Sequence, residues 1–290
     1  LQASGDRYVA QCVIRLREID VDRLHTALQA VVNRHDSLRT TFGRRAGMKQ
    51  PLQVIHPVAS VTWRHLDLSG EDSKTQASQI EQFITAEQGE FDSLEQLPLL
   101  RSLLLALSSQ EFLLVLTLPA LCADTKSLQN LLKDLFQAYT HNSTDQISSE
   151  EVMQYVQFSE WQNELLQENT TAESYWQQDS STSMQLPFRL ITPRTTSFEP
   201  QVYSVPVSPA INAQLHATAE RYDVSIALFL LACWQVLIRR LTGRKEITTG
   251  VVWSYQQYEE LETVVGLLSQ SLPLKSCLTE EMLFSEVLRQ

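Results

Sequence analysis

The chain has 290 residues, with 23 Lys and Arg against 34 Asp and Glu, for a formal net charge of -11 and a pI near 5.0. That acidity excludes a nucleic-acid binder that tracks phosphates with a basic face. Apolar residues at 43% support a sizeable core, the scarcity of Gly (8) and Pro (10) argues against long disordered linkers, and length alone suggests about two domains.

Residues 7–18 place Val, Ile and Leu in partial alternation and predict a strand. Asp20 and Asp22 then precede Leu24, Ala27, Leu28, Val31 and Val32, the spacing of an amphipathic helix. Residues 50–57 and 61–66 read as short strands, and Ala77, Ile80, Phe83 and Ile84 mark a further helix. Two apolar runs, 99–107 and 111–118, are separated by Ser108-Ser109-Gln110 and predict a strand pair. Leu128, Leu131, Leu132, Leu135, Phe136 and Tyr139 repeat at i, i+3, i+4, i+7 and predict a helix. A polar stretch, 141–150, leads to a helix carrying Tyr155, Phe158 and Trp161.

Residues 178–185 are the best linker candidate. Beyond them the pattern predicts a strand over 201–207, a helix from Pro209, a fully buried helix over 225–241, strands over 246–253 and 272–275, and a last helix over 280–290. Helix alternating with strand indicates a mixed α/β architecture, divided into halves at 1–178 and 179–290. The longest apolar run, 226–238, is interrupted by Gln235 and is too short to span a bilayer, so no membrane is expected. Cys12, Cys122, Cys233 and Cys277 form no C-x-x-C pair, which argues against structural zinc and a disulfide scaffold and for a reducing, cytoplasmic setting. Neither a Gly-rich phosphate loop, an H-E-x-x-H nor a G-x-S-x-G occurs.

Several blocks resemble those of the condensation domains of nonribosomal peptide synthetases. Arg34-His35-Asp36-Ser37-Leu38-Arg39-Thr40-Thr41-Phe42 is similar to the family's R-H-E-x-L-R-T-x-F. Phe91-Asp92 with Pro98-Leu99-Leu100-Arg101, the run Tyr155 to Gln162, Tyr175-Trp176, Leu241-Thr242-Gly243, Gly250, Glu260-Leu261-Glu262, Gly266 and Leu272-Pro273-Leu274-Lys275 follow in the family's order. The resemblance implies two chloramphenicol-acetyltransferase-like lobes in a V, α/β (α+β) in class, with the C-terminal lobe incomplete. It implies attack of an acceptor amine on a donor thioester, both substrates riding on the phosphopantetheine of partner carrier proteins and meeting in a tunnel where proximity lowers the barrier. No cofactor or metal is expected on the domain itself. Because the opening S-x-A-Q-x-R-x-W block and the closing segments are missing, the resemblance casts the chain as part of a larger synthetase with neighbouring domains.

The family's H-H-x-x-x-D-G motif, whose second His positions or deprotonates the amine, falls on Pro119-Ala120-Leu121-Cys122-Ala123-Asp124-Thr125. Pro119 and Ala120 replace the two histidines, Thr125 replaces the Gly, and Asp124 alone remains. The arginine that holds the motif aspartate in the family reads as Gln256, which lacks a charged bidentate fork, and a family Asn reads as Gln270; Ala120, Gln256 and Gln270 are therefore the tunnel candidates.

Asp124 is a helix N-cap or a surviving base, and Cys122 a buried small hydrophobe or a low-pKa nucleophile. His35 is read as packing or capping. Trp161, Trp176, Trp234 and Trp253 line either the core or the tunnel, and Glu150-Glu151 and Glu259-Glu260 are solvated faces. The cluster Arg239-Arg240 and Arg244-Lys245 is a basic helix end or a docking patch for an acidic carrier protein. The leading reading is a catalytically degenerate condensation-like domain that docks carriers or organises neighbouring domains; the alternative is an active acyltransferase using non-standard residues.

Overall fold

A computed structural model describes residues 9–45, 47–48, 51–89, 93–141, 152–168, 187 and 203–290. It divides into two compact units, one of residues 1–170 with 254–269, the other of 171–253 with 270–290. The first holds a four-stranded sheet in the order β1 (Val9–Arg17), β6 (Glu111–Pro119), β5 (Arg101–Ala106), β4 (Thr62–Asp67). β6 runs antiparallel to both β1 and β5, whereas β4 and β5 are parallel.

Successive side chains on β5 and β6 go to opposite cores. Leu104, Leu114, Leu116 and Leu118 join α1 (Val21–Arg34) and α3 (Thr125–His141) on one face. Leu103, Leu105, Leu113 and Val115 meet Ile80, Phe83 and Ile84 of α2 (Ser73–Glu87) on the other. Burial on both faces is why these strands read as continuous apolar runs rather than alternating ones. Each fully buried leucine contributes about 1.5–3 kcal/mol.

Helix starts follow from local chemistry. Asp20 accepts a hydrogen bond from Arg23 N at 3.0 Å and caps α1, and Asp72 accepts from Lys74 N and Thr75 N and caps α2. At the end of α1, His35 is 1% exposed and its Nε2 lies 2.7 Å from Asp134 Oδ2 on α3, so it is buried and fastens two helices. A two-stranded sheet of β2 (Thr40–Gly43) and β3 (Leu52–Ile55) follows; β2 has no signal of its own in the pattern, because four residues become a strand only through their partner. Helix α4 (Tyr155–Glu168) is the last α-helix of the first unit among the described residues, and two short 3-10 turns, Tyr255–Gln257 and Glu259–Leu261, follow in it.

The second unit contains α5 (Pro209–Arg221), α6 (Ile226–Thr242), the paired strands β7 (Glu246–Ser254) and β8 (Ser269–Cys277) except for their terminal residues Ser254 and Ser269, and the single turn α7 (Phe284–Val287). Ser208 caps α5 through Ile211 N, Ser225 caps α6 through Leu228 N, and α6 ends at Gly243 with φ 69°, the left-handed stop that glycine adopts without a Cβ penalty. Its core gathers Ala232, Ile238, Ile247, Leu278 and Val287, with Gln235 Nε2 donating to Ser276 Oγ at 2.8 Å inside it.

Three expectations for this half need correction. Residues 203–207 form no strand, and Tyr203, Val205 and Val207 are exposed. Helix α6 is apolar on all sides, but only the face of Phe229, Ala232, Gln235 and Ile238 is buried, while Leu228, Leu230, Trp234 and Leu237 are exposed. The last helix shrinks to four residues because Phe284, Val287 and Leu288 alone reach the core. The linker at 178–185 and the boundary at 178/179 lie outside the described residues. Among the described residues no single helix is long and apolar enough to cross a membrane.

Candidate functional site

The motif segment occupies the turn from β6 to α3. Pro119 is buried at the strand end, Ala120 is half-buried, and Cys122 N donates to Pro119 O at 2.9 Å to close the turn. Thr125 is exposed in the first turn of α3, and Leu128 N donates to Asp124 O at 3.1 Å.

Asp124 uses both carboxylate oxygens. Oδ1 accepts from Ser127 N at 2.9 Å and lies 2.8 Å from Ser127 Oγ, the geometry of an N-cap. Oδ2 accepts from Ser269 N at 3.1 Å and Ser269 Oγ at 2.7 Å. Ser127 Oγ also lies 2.6 Å from Gly266 O and accepts from Gly266 N at 3.1 Å, so its single proton is divided between the carboxylate and the carbonyl. One further turn along α3, Asn130 Nδ2 donates to Glu262 O at 2.8 Å and Val264 O at 3.3 Å. Asp124, Ser127 and Asn130, three residues apart on one helix face, thus hold residues 262–269.

Gln256 is buried, but it is not a partner of Asp124. Its Nε2 donates to Val264 O at 2.9 Å and its Oε1 accepts from Ser254 Oγ at 3.3 Å. Gln270 is half-buried in β8 and belongs to the second unit. Ser127, Asn130 and Ser269 were not foreseen, and Gly266 was read only as part of a family block, without its contact to Ser127. The Asp-x-x-Ser spacing at the helix start could have revealed Ser127; Ser269 is 145 residues away and carries no local signal.

Two other titratable groups flank the turn. Cys122 is 2% exposed, and burial pushes its thiol up to about 12, so it stays protonated where a thiolate nucleophile is needed. Tyr155 on α4 donates to Leu267 O at 3.3 Å, and its phenol is raised by burial first and by the Asp124 charge second. The ring packs with Phe158, which in turn meets Trp161 and Tyr255.

A general base must offer a free lone pair to the proton it removes. A carboxylate has about four lone-pair sites; three donors, Ser127 N, Ser269 N and Ser269 Oγ, point at that of Asp124, and the Ser127 hydroxyl is shared with Gly266 O. The arrangement fastens residues 262–269 to the start of α3 and engages both carboxylate oxygens. Elsewhere, the His25 ring packs against Trp63 at a tilt of 31° with centroids 5.0 Å apart, and His56 Nε2 lies 2.9 Å from Thr41 Oγ1. Trp161, Trp234 and Trp253 are 41%, 51% and 42% exposed, which keeps them out of the core; Trp176 and Glu150-Glu151 lie outside the described residues. Arg239 pairs with Glu280 at 3.5 Å, while Arg240, Arg244 and Lys245 are exposed. Among the described residues no group of three His, Cys, Asp or Glu is placed to hold a metal ion.

Residues 1–290 match the family model described as Condensation domain. Tyrocidine synthase 3 of Brevibacillus parabrevis is 27% identical over 278 residues, covering 94% of this chain and 4% of its own length. Cyclosporin synthetase of Tolypocladium inflatum is 30% identical over 300 residues, covering 100% of this chain and 2% of its own. The chain therefore spans a small part of these curated relatives. Among solved structures, the X-domain from teicoplanin biosynthesis superposes with a TM-score of 0.81 at 22% identity, covering 99% of this chain and 65% of that one. The first condensation domain of the calcium-dependent antibiotic synthetase gives 0.78 at 18%, covering 98% and 68%. At these identities the two structures speak for the fold alone.

Proposed function

Because the chain belongs to the condensation-domain family, we propose that it serves a nonribosomal peptide synthetase as a condensation-like domain that docks carrier proteins or organises neighbouring domains, without histidine-dependent amide formation. The observation that carries this reading is Ala120 at the position of the second histidine, next to an Asp124 whose oxygens are engaged by Ser127 and Ser269. Amide formation needs a group to orient or deprotonate the amine, and neither alanine nor a protonated Cys122 supplies one.

The teicoplanin X-domain, alike in fold, has been solved in a complex with OxyB, which supports a binding role for this fold. The phosphopantetheine belongs to the carrier, the setting is cytoplasmic, and the exposed Arg240, Arg244 and Lys245 are the patch offered to an acidic carrier. We assign the two lobes to 1–178 and 179–290, apart from 254–269, which pack with the first unit.

The test loads donor and acceptor aminoacyl groups on separate carriers and measures carrier binding by calorimetry and dipeptidyl product by mass spectrometry. Saturable binding with product at the uncatalysed background is expected. Normal turnover that persists after Asp124→Ala and Cys122→Ala would overturn the reading and leave an acyltransferase using other groups.

A further inference from the structure

The first unit contains a second polar site away from the motif turn. A cleft of about 350 Å³ opens where the parallel strands β4 and β5 begin and α2 ends, and its lining includes Thr62, Arg64, Glu87, Gln96, Arg101 and Ser102. That volume is at the small end of the roughly 300–1,000 Å³ typical of ligand pockets.

Its charged pair is asymmetric. Arg64 Nη1 lies 2.6 Å from Glu87 Oε1, the glutamate side chain being 6% exposed and the arginine 51%. A carboxylate this deep is retained at a desolvation cost and needs partners. Yet among the described residues its carboxylate takes no second hydrogen bond, and the Arg64 guanidinium makes one. With about four acceptor sites on one group and five N–H donors on the other, both keep unused capacity in a cleft they share.

The end of α2 adds to the pattern. The carbonyls of Glu87, its last residue, and of Gly89, two residues beyond, accept from Arg101 Nη1 at 3.5 and 3.2 Å, and the C-terminal pole of a helix of this length favours a cation. Arg101 covers that pole, so a simple anion placed on Arg64 would meet the buried Glu87 carboxylate beside it. A simple amine would leave the half-exposed guanidinium unused. A ligand carrying both charges on one carbon satisfies both.

We propose that this cleft binds a free α-amino acid, with the ammonium on Glu87 and the carboxylate on the Arg64 guanidinium. The site does not depend on carrier docking or on the chemistry of the motif turn.

The test follows backbone amide shifts of isotope-labelled protein during titration with leucine, with ethylamine and acetate as single-charge controls. Saturable shifts at Ser93 and Ser102, which line the cleft, are expected with leucine, and each control should bind about tenfold more weakly or worse. Arg64→Gln, at a half-exposed side chain, should keep the spectrum dispersed while weakening leucine by about tenfold; Glu87→Gln gives a second reading if it folds. Absence of saturable shifts, acetate binding as well as leucine, or an Arg64→Gln variant with undiminished affinity would each overturn the proposal.

Discussion

Asp124 caps α3 with one oxygen and grips Ser269 with the other, so one side chain joins a local task to a contact 145 residues away. Loss of an N-cap costs about 1 kcal/mol and a hydrogen bond to a charged group about 1.5–3 kcal/mol. Asp124→Ala is therefore expected to lower unfolding stability by about 2–3 kcal/mol and Ser269→Ala by about 1–2 kcal/mol. In urea melts the double variant should fall short of the sum by at least about 0.5 kcal/mol; strict additivity would show that the two residues do not act together. Cysteine burial makes a separate claim about pH. Burial lifts Cys122 from 9.0 to about 12 and Cys12 to about 11. Above pH 9 the unfolded chain releases thiol protons that the folded chain keeps, so this stability is complete below pH 9 and declines as pH rises from there toward 12. Comparing the unfolding midpoint against pH for wild type and a Cys12→Ala/Cys122→Ala variant isolates the effect: the variant's alkaline slope should be shallower.

At the scale of elements, α4 and the segment 254–269 meet through a contact with no spare room. A Cβ added at Gly266 would lie 2.1 Å from Tyr155 Cδ2 and 2.6 Å from Cγ, and the tyrosine is held by its neighbour Phe158, which is 1% exposed. Gly266→Ala should cost about 1–3 kcal/mol, measured by urea unfolding, and should cost far less when Tyr155 is already alanine. An undiminished cost in that background would place the strain elsewhere. The same region shows what a sequence discloses and what it withholds. The helices α1 and α3 and the strands β5 and β6 were legible because burial against a common sheet imposes a period on their own residues. Gly266 was visible as part of a family block, but its need to accommodate Tyr155 was not. Ser269 likewise carries no periodic signal, since its role is set by Asp124 in another part of the chain. Gln256 reads as the position of the family's arginine, and the sequence does not disclose that its side-chain amide bonds Val264 O, eight residues on. Helix α6 misled for the opposite reason: apolar residues on every side suggested complete burial, and Trp234 at 51% exposure shows that composition does not say which face is covered.

Across the whole molecule, a net charge of -11 opposes an acidic partner at long range, so the carrier docking proposed above requires a local basic patch. Arg240→Glu is expected to weaken carrier binding, with the loss largest at low salt; an affinity unchanged at low salt would remove the α6 end from the docking surface. Catalysis is a different question, because the turn proposed as the motif keeps an ordered framework although it contains no histidine. β6 still delivers the chain to position 120, and Asp124 still fixes the start of α3 four residues later, so the backbone on either side of Ala120 remains anchored. If the missing imidazole is what separates this domain from amide formation, Ala120→His should raise dipeptidyl product above the wild-type background by about 10²-fold or more, the usual yield of a positioned general base. The gain should follow deprotonation of an imidazole near pH ~6.5 and disappear when Asp124→Ala loosens the turn, while carrier affinity stays unchanged throughout. A gain that is independent of pH, or that survives Asp124→Ala, would mean that the new side chain acts without the framework. No gain at all, with carrier affinity intact, would show that binding has outlived every part of the chemistry and not the histidine alone.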